Sequence, residues 1–347
     1  MKRVLLIGAG HGHLVVLRSL AQKPLYGARV TLVSPHPRQV YSGMLPGLIA
    51  GHYRRAEAEI DVAALAGRAY VEFAHGTVER LDAGRRLAVL ADGRSLDYDF
   101  ACINAGSRVD ASVAGSRQAL PVKPYEAFLE RLGIEQRIAV VGAGAAGAEL
   151  AMALRHRGAQ VTLYSAGEPA VPPALANRLV RELRRRKVDF RAGMTVTAIE
   201  PGPVVIAGPA RQEFDLVLLA TGAAPLPWLR ESGLDTDERG FVLVQDTLQS
   251  VSHPEVFALG DCATLRSAPH PRSGVYAVRH GEALAHNLRR VLAGAALQPY
   301  APQKKALVLL SCGARYAIAG RGGWAARGRW VWWWKDRIDR RWIRSFA

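Results

Sequence analysis

Two short apolar strands in this chain each run into a glycine-rich turn, a pattern that binds the pyrophosphate of a dinucleotide. The first turn is Gly8-Ala9-Gly10-His11-Gly12-His13, and the second is Gly142-Ala143-Gly144-Ala145-Ala146-Gly147. Glycine lets the backbone turn tightly and approach the phosphates, whose charge then rests on the N-terminus of the next helix. Two such turns predict two dinucleotide sites, and therefore a protein that passes electrons between two cofactors.

Each turn belongs to a strand–helix–strand unit of about thirty residues, as a nucleotide-binding half requires. We predict these units over residues 3–7, 13–22 and 29–33, and again over 137–141, 145–156 and 160–164. Later in each half, a strand ends in a turn of small residues, Asn104-Ala105-Gly106 and Ala220-Thr221-Gly222. The two halves therefore repeat one architecture.

This order of elements predicts an α/β protein with two Rossmann-like domains, the second inserted in the first, and a small C-terminal segment. We assign residues 1–106 and 240–298 to the first domain and 107–239 to the inserted domain. Residues 299–347 form the C-terminal segment. A long helix is expected over about 274–292.

The charge balance limits the class of partner. The 347 residues carry a formal net charge of +16, which suits nucleic acid, an anionic membrane surface or anionic cofactors. No helix-turn-helix, zinc-finger or RNA-binding pattern is present, so nucleic acid is not expected as a partner.

Neither cysteine nor histidine spacing indicates a metal site. Cys102, Cys262 and Cys312 lie far apart and form no CxxC pair, which argues against a disulfide framework and fits a reducing cytoplasm. Histidines near the first turn, at positions 11, 13, 36 and 52, fit no zinc pattern. We expect them to make polar contacts to a cofactor or to solvent, and we predict no metal.

With a further motif, Val256-Phe257-Ala258-Leu259-Gly260-Asp261, the chain resembles the two-dinucleotide-binding flavoproteins of the pyridine nucleotide-disulfide oxidoreductase superfamily over nearly its whole length. Within that superfamily it looks most similar to the type II NADH dehydrogenase-like branch. Residues 41–51, 274–279 and 334–340 also resemble the flavoprotein often fused ahead of selenide, water dikinase. The resemblance implies FAD at the first turn and NAD(P)H, as co-substrate, in the inserted domain.

The same resemblance implies which residues hold each cofactor. For FAD these are Gly8, Gly10, His11, Gly12, Ser34, Tyr41, Pro46, Ala105, Gly106, Gly260, Asp261 and Gly274. For NAD(P) they are Gly142, Gly144, Gly147, Glu149, Ser165, Thr221 and Gly222. Glu149 is either a helix-start carboxylate stabilised by the helix dipole or, as the resemblance implies, the catalytic residue that positions the nicotinamide over the flavin.

Several positions depart from the family pattern. His13 stands where a third glycine is usual, and Ser34 and Ser165 replace the acidic residue that binds the adenosine ribose. Serine does not repel a 2′-phosphate, so the choice between NADH and NADPH stays open. The glutamines of the quinone loop are also absent, and Arg279 and His280 stand there instead.

The loop after the first unit lacks the CxxxxC pair of disulfide reductases. We therefore predict an FAD-dependent NAD(P)H oxidoreductase in which hydride passes to flavin N5 and the electrons then go directly to an acceptor such as a quinone. The alternatives are a soluble flavin oxidoreductase of sulfur or selenium metabolism and a non-catalytic FAD-binding partner protein.

Lys123 precedes Pro124 and a predicted helix. We expect its side chain at the surface; the alternative is that it pairs with a phosphate or with Glu149.

The C-terminal tail holds six of the seven tryptophans. A period of four predicts one helical face made of Trp330, Trp334, Ile338, Trp342 and Phe346, with Lys335 and the arginines off that face. Such a helix either anchors at a membrane surface or packs on its own sheet or on a second subunit of a homodimer. The protein is accordingly expected in the cytoplasm, either free or peripheral on the cytoplasmic membrane face.

Overall fold

The first glycine turn lies at the carboxyl end of the central strand of a parallel sheet. The computed structural model describes residues 1–347. In spatial order the strands of the first sheet are Val256–Ala258, Phe100–Ile103, Lys2–Ile7, Ala28–Ser34 and Glu72–His75. The central strand pairs in parallel on both sides, with Leu6 opposite Leu32 and Cys102. A strand covered on both faces needs a continuous apolar run, which is what Val4 to Ile7 supply.

The second sheet repeats this plan. Its parallel strands are Leu120–Pro121, Leu216–Leu219, Arg137–Val141, Gln160–Ser165 and Asp189–Ala192. Two parallel sheets, each with a glycine turn on its central strand, confirm the predicted α/β class with two nucleotide-binding folds.

Helices cover the sheets and connect them. They span His11–Gln22, Leu45–Ile49, Arg55–Ala58, Val62–Arg68, Tyr125–Arg131, Ala145–His156, Pro173–Arg185, Gly274–Leu292 and Arg329–Arg344, with 3-10 turns at Ser116–Gln118, Pro227–Leu229 and Gly260–Cys262. The first helix crosses the long helix Gly274–Leu292 at a glycine contact. A Cβ atom on Gly281 would overlap the carbonyl oxygen of Gly12, so the crossing depends on the missing side chain.

Short antiparallel strands complete the two halves. One meander is Val78–Asp82, Leu87–Leu90 and Ser95–Asp97, and its counterpart is Val196–Glu200, Val204–Ala207 and Ala210–Glu213. The remaining pairs are Arg38–Val40 with Glu59–Asp61, Val242–Val244 with Ala263–Leu265, and Arg108–Val109 with Ala223–Ala224. The last pair forms a two-stranded connection between the regions of the two parallel sheets.

The C-terminal segment bridges both halves. Its antiparallel strands are Val308–Ser311, Ala317–Arg321 and Trp324–Gly328, followed by the helix Arg329–Arg344. Leu310 and Ile318 belong to the same apolar core as the second sheet. On the other side, Val331 and Trp332 pack with Met44 and Tyr53 from the loop region of the first half. None of the helices in the structure has the length and apolarity needed to cross a membrane.

The C-terminal helix turns a different face inward from the one that the tryptophan spacing predicts. Trp330 is 56% exposed and Ile338 38% exposed, whereas Lys335 and Asp339 are buried. Steps of four residues advance by about 400°, so residues spaced in this way drift by about 40° per step around the helix. The predicted stripe is therefore wrong as a single face, and Lys335 is an interior residue.

The glycine contact between the two long helices gives a stability test. We expect Gly281→Ala to lower the free energy of unfolding by about 1–3 kcal/mol, because the added methyl group forces the helices apart. Gly67→Ala is the matched control, since a Cβ atom there meets nothing within 4 Å. The control should be neutral or more stable by up to about 1 kcal/mol. Urea unfolding measures both, and an unchanged midpoint for the Gly281 variant would contradict the close helix crossing.

Candidate active site

The first glycine turn forms a cradle of backbone N–H groups. Gly8 has a φ of +84°, and a Cβ atom there would lie 2.5 Å from the Cα atom of Ala105. The amides of His11 and Gly12, at the start of the helix, have no partner within the protein. Free donors at a helix N-terminus suit a pyrophosphate, so the residues present fit the adenine dinucleotide half of FAD.

Asn104 organises this cradle, a role that the sequence analysis missed. Its side chain is buried, its Oδ1 accepts from the amide of His13 at 3.0 Å, and its Nδ2 donates to the carbonyl of Leu259 at 2.8 Å. Its own amide donates to the carbonyl of Ile7 at 2.8 Å. Asn104 therefore ties together the ends of three neighbouring strands. The available signal was a polar residue directly after a buried strand.

His13 replaces the usual third glycine without leaving the turn. Its imidazole is fully buried, and Nδ1 donates to the carbonyl of Gly8 at 2.5 Å. Burial lowers the pKa of His13 to about 4, so the ring is neutral and acts as a structural donor inside the turn.

The predicted FAD residues beyond the turn converge on the same region. Ala105 contacts Gly8, Gly260 contacts Asn104, and Gly274 at the start of the long helix contacts the ring of His11. The His11 ring also stacks on Trp342, with centroids 6.2 Å apart.

Three further predicted FAD residues, Gly106, Pro46 and Ser34, have different local environments. Gly106 follows with a φ of +76°, and Pro46 is buried in the first turn of the helix Leu45–Ile49. Ser34 is already bonded within its own turn, since its Oγ lies 3.3 Å from both the amide and the carbonyl of His36.

Asp261 is held by a lysine that the sequence analysis expected at the surface. Lys123 Nζ lies 2.8 Å from Asp261 Oδ2, and Ser107 Oγ donates to the same oxygen at 3.3 Å. Burial alone would raise the pKa of Asp261, but the lysine outweighs it and the pKa is lowered. The surface assignment of Lys123 is therefore wrong, and so is the alternative pairing with Glu149. An ionised Asp261 can accept hydrogen bonds from sugar-alcohol hydroxyls.

The second glycine turn has the same design with more free donors. A Cβ atom on Gly142 would overlap the carbonyl of Ala220, and one on Gly147 would overlap the carbonyl of Gly142, whereas Gly144 faces open space. The amides of Ala145, Ala146 and Gly147 have no partner within the protein. The arrangement fits a second pyrophosphate.

The other predicted NAD(P) residues lie at strand ends of the second sheet. Ser165 ends its strand with no hydrogen-bond partner for its hydroxyl, and Gly222 has a φ of +120° beside open space. Thr221 Oγ1 donates to the carbonyl of Asp110, which fixes the connection between the two halves.

Glu149 points from the second nucleotide-binding helix toward the C-terminal segment. Its Oε1 accepts from the amide of Ser311 at 2.6 Å. The residue as a whole is only partly buried, but its carboxyl is desolvated, and this raises the pKa of Glu149 to about 7 even though the cation of Lys335 opposes the shift. A carboxyl with this pKa can hold or release a proton near neutral pH.

A buried ion pair from the C-terminal helix lies in the same region. Lys335 Nζ is 2.6 Å from Asp339 Oδ2 and also donates to the carbonyl of Gly43 at 2.5 Å. The hydroxyl of Tyr41 donates to Asp339 Oδ1 at 3.4 Å. The sequence analysis identified Tyr41 but missed both charged residues. We refer to Tyr41, Glu149, Lys335 and Asp339 as the charged cluster.

Arg279 and His280, which replace the expected glutamines, have separate roles. Arg279 is exposed and pairs with Glu282 at 2.9 Å. His280 is buried, and its Nδ1 accepts from the amide of Gly260 at 3.1 Å. His280 therefore supports the Gly260–Asp261 turn from behind.

The three cysteines do not form a redox pair. All are free and fully buried. Burial raises the pKa of Cys262 to about 12 and also raises the pKa of Cys102 and of Cys312. Because the thiolate is the reactive form, burial makes each of these thiols less reactive, and none is bonded to another.

Two glycine cradles on parallel sheets, with charged groups between them, define a two-dinucleotide flavoprotein fold. The family model described as "Pyridine nucleotide-disulphide oxidoreductase" matches residues 2–281. The chain belongs to this family, and its cofactors are FAD and NAD(P)H.

Relatives in the family differ in their electron acceptors. The chain is 31% identical over 204 residues to a nitric oxide reductase FlRd-NAD(+) reductase of Aeromonas salmonicida. The matched region covers 55% of this chain and about half (52%) of the relative's length. It is 25% identical over 329 residues to the type II NADH:quinone oxidoreductase of Haemophilus influenzae, covering 76% of this chain and 74% of that one.

A solved structure shares the complete fold. The sulfide:quinone oxidoreductase of Aquifex aeolicus matches with a TM-score of 0.80 at 17% identity, covering 100% of this chain and 91% of that chain. This likeness extends over the C-terminal segment as well as both parallel sheets.

The raised pKa of Glu149 predicts a stability effect that does not require a cofactor. The folded protein keeps this proton up to about pH 7, whereas an unfolded glutamate loses it near 4.5. Stability is therefore lost as pH rises from 4.5 to 7, and the full loss applies above 7. Glu149→Gln keeps the bond to Ser311 and removes the charge, so it should raise the thermal midpoint more at about pH 8 than at about pH 5.5.

The matched control for this test is Glu213→Gln at an exposed position. Its effect on the thermal midpoint should be small and similar at both pH values. A Glu149 variant whose midpoint change does not depend on pH would contradict the desolvated carboxyl.

Proposed function

We propose that the protein oxidises NAD(P)H through FAD and delivers the electrons directly to a quinone. The observation that carries this proposal is the charged cluster, which joins the first half, the second nucleotide-binding helix and the C-terminal helix in a chain without an available thiol pair. When bound, FAD supplies the two-electron chemistry that links a nicotinamide to an electron acceptor.

The two cradles would hold the cofactors in place. The free amides of His11 and Gly12 offer donors to one pyrophosphate, and those of Ala145, Ala146 and Gly147 offer donors to the other. Asp261, kept ionised by Lys123, would accept hydroxyl hydrogens of the chain that joins the flavin ring to its phosphates. Both anionic ligands also suit a protein with a net charge of +16.

The charged cluster would serve the acceptor. Reduction of a quinone places negative charge on its oxygens and consumes two protons. The ammonium of Lys335 is a fixed positive charge in a water-poor site, where such a charge stabilises a developing anion most effectively. Glu149, with a pKa of about 7, can hold a proton close to that site. These roles differ from the nicotinamide positioning that the resemblance implies for Glu149, although one carboxyl could serve both.

A quinone acceptor also accounts for the outer face of the C-terminal helix. Trp324, Trp330 and Trp333 are 49%, 56% and 63% exposed. The same hairpin and helix carry exposed arginines without ion-pair partners, at positions 321, 329, 337, 341 and 344. Exposed tryptophan beside arginine is typical of an interfacial surface on anionic lipid. We therefore propose peripheral attachment to a membrane through this helix, which places the charged cluster near a lipid-soluble substrate.

The primary experiment is anaerobic reduction of the purified holoenzyme, followed by addition of a short-chain quinone. The proposal expects a yellow protein that bleaches with NADH or NADPH and regains its colour with the quinone. A colourless protein, or one that does not bleach, would contradict it. Return of colour with polysulfide or a selenium compound but not with quinone would favour the soluble sulfur or selenium alternative.

The charged cluster gives a more specific prediction. We expect the double variant Lys335→Met with Asp339→Leu to fold, because removing both partners of a buried ion pair is often neutral. Bleaching by NADH should remain within about threefold, while steady-state turnover with quinone should fall by about 10²-fold or more, since one preorganised charge contributes that much. Arg337→Met, an exposed change on the same helix, is the control. Full quinone turnover by the double variant would contradict the proposed role.

The tryptophan face predicts lipid binding. Trp330→Ala with Trp333→Ala should weaken binding to vesicles containing phosphatidylglycerol by about tenfold or more, and salt should weaken the native binding. The matched control is Tyr26→Ala with Tyr70→Ala, two aromatic residues that are 86% and 79% exposed elsewhere. Vesicle co-sedimentation measures binding, and equal loss in both double variants would contradict a specific docking face.

A further inference from the structure

We infer that the second nucleotide site selects NADH over NADPH, an inference that rests on the proposed NAD(P)H oxidation. Ser165 ends the strand that follows the second glycine turn, which is where this fold recognises the adenosine ribose. Its side chain is buried and its hydroxyl has no hydrogen-bond partner within the protein. A free hydroxyl there can bond a ribose hydroxyl as donor or acceptor.

The loops around Ser165 contain no cation for a 2′-phosphate. Residues 166–172 include neither lysine nor arginine, and their single charged side chain is the exposed Glu168. The loop after the neighbouring strand, residues 193–195, also lacks a cation. This lack is notable in a chain with a net charge of +16, because the rest of the surface is rich in arginine.

Two arginines of adjacent elements, Arg191 and Arg178, are directed elsewhere. Arg191 pairs in register with Tyr164, one residue before Ser165, and consecutive residues of a strand point to opposite faces of the sheet. Its guanidinium bonds Asp189 at 2.8 Å and lies over the Tyr164 ring. Arg178, on the following helix, donates to the carbonyl of Ala325 at 3.5 Å. Neither guanidinium is therefore committed to the Ser165 face.

Charge then decides between the two nucleotides. A 2′-phosphate brings a charge of about −2 and needs cationic or N–H donors to replace its hydration. The one charged side chain in the loop after Ser165 is the carboxylate of Glu168, which has the same sign as the phosphate. The 2′-hydroxyl of NADH needs only one hydrogen bond, which Ser165 can supply. Because an acidic residue is absent at position 165, the sequence alone left the choice between NADH and NADPH open. The lack of a cation in the neighbouring loops now favours NADH.

The test is anaerobic reduction of the FAD-loaded protein, with the second-order rate constant measured for NADH and for NADPH. We expect NADH to be favoured by about tenfold or more. Ala166→Arg adds a cation on the exposed loop and should raise the NADPH rate constant by about tenfold. Ala293→Arg adds the same charge at an exposed site after the long helix and should leave the preference unchanged.

The outcomes separate this inference from the function on which it rests. Bleaching by neither nucleotide would overturn the proposed oxidation of NAD(P)H itself. Bleaching by NADPH as fast as by NADH would leave that function in place and overturn the preference. An Ala166 variant with no gain toward NADPH would also overturn it, because the loop after Ser165 would then not contact the 2′ position.

Discussion

The buried ion pair between Lys335 and Asp339 is the interaction on which the site depends. Its atoms are 2.6 Å apart, and the two side chains are 8% and 6% exposed. Desolvating two charges is costly, and such a pair contributes little net stability compared with apolar residues of the same size. The pair is bonded to the carbonyl of Gly43 and to the hydroxyl of Tyr41, and we propose that its position reflects what a fixed charge does for chemistry between two cofactor sites.

This constraint also explains the C-terminal segment. The helix that carries the ion pair is attached to the second half through the sheet at residues 308–328 and to the first half through Val331 and Trp332. With its interior face occupied by charges and two core residues, the helix leaves large aromatic side chains outside. One element therefore supplies the inner charge of the site and the outer surface that we propose for lipid.

The sequence predicted the parts of the fold that local chemistry determines. The helix Ala145–His156 and the strand Arg137–Val141 occur with the predicted limits, because a glycine turn between an apolar strand and an apolar helix has few alternatives. The cradle residues converge for the same reason. Asn104 was missed because a polar residue in a turn usually faces solvent, and only the neighbouring strand ends show that it is buried.

The errors arose where tertiary contacts decide burial. Lys123 is directed inward because Asp261 and Ser107 lie opposite it, and these residues are distant in sequence. Lys335 and Trp330 lie on the opposite sides of the helix from those predicted, because the surface beneath the helix presents a carbonyl and a phenol to the pair of Lys335 and Asp339 rather than an apolar sheet. Spacing gives the amphipathicity of a helix, but the opposing surface determines which residues it turns inward.

The central claim is that the flavin is the only redox group between nicotinamide and acceptor. Anaerobic titration of the FAD-loaded protein with NADH, followed by absorbance, tests this directly. The account predicts that one nicotinamide per flavin completes the reduction, because the three buried cysteines take no electrons. A requirement for two nicotinamides per flavin, or a thiol that becomes open to alkylation only after reduction, would contradict it.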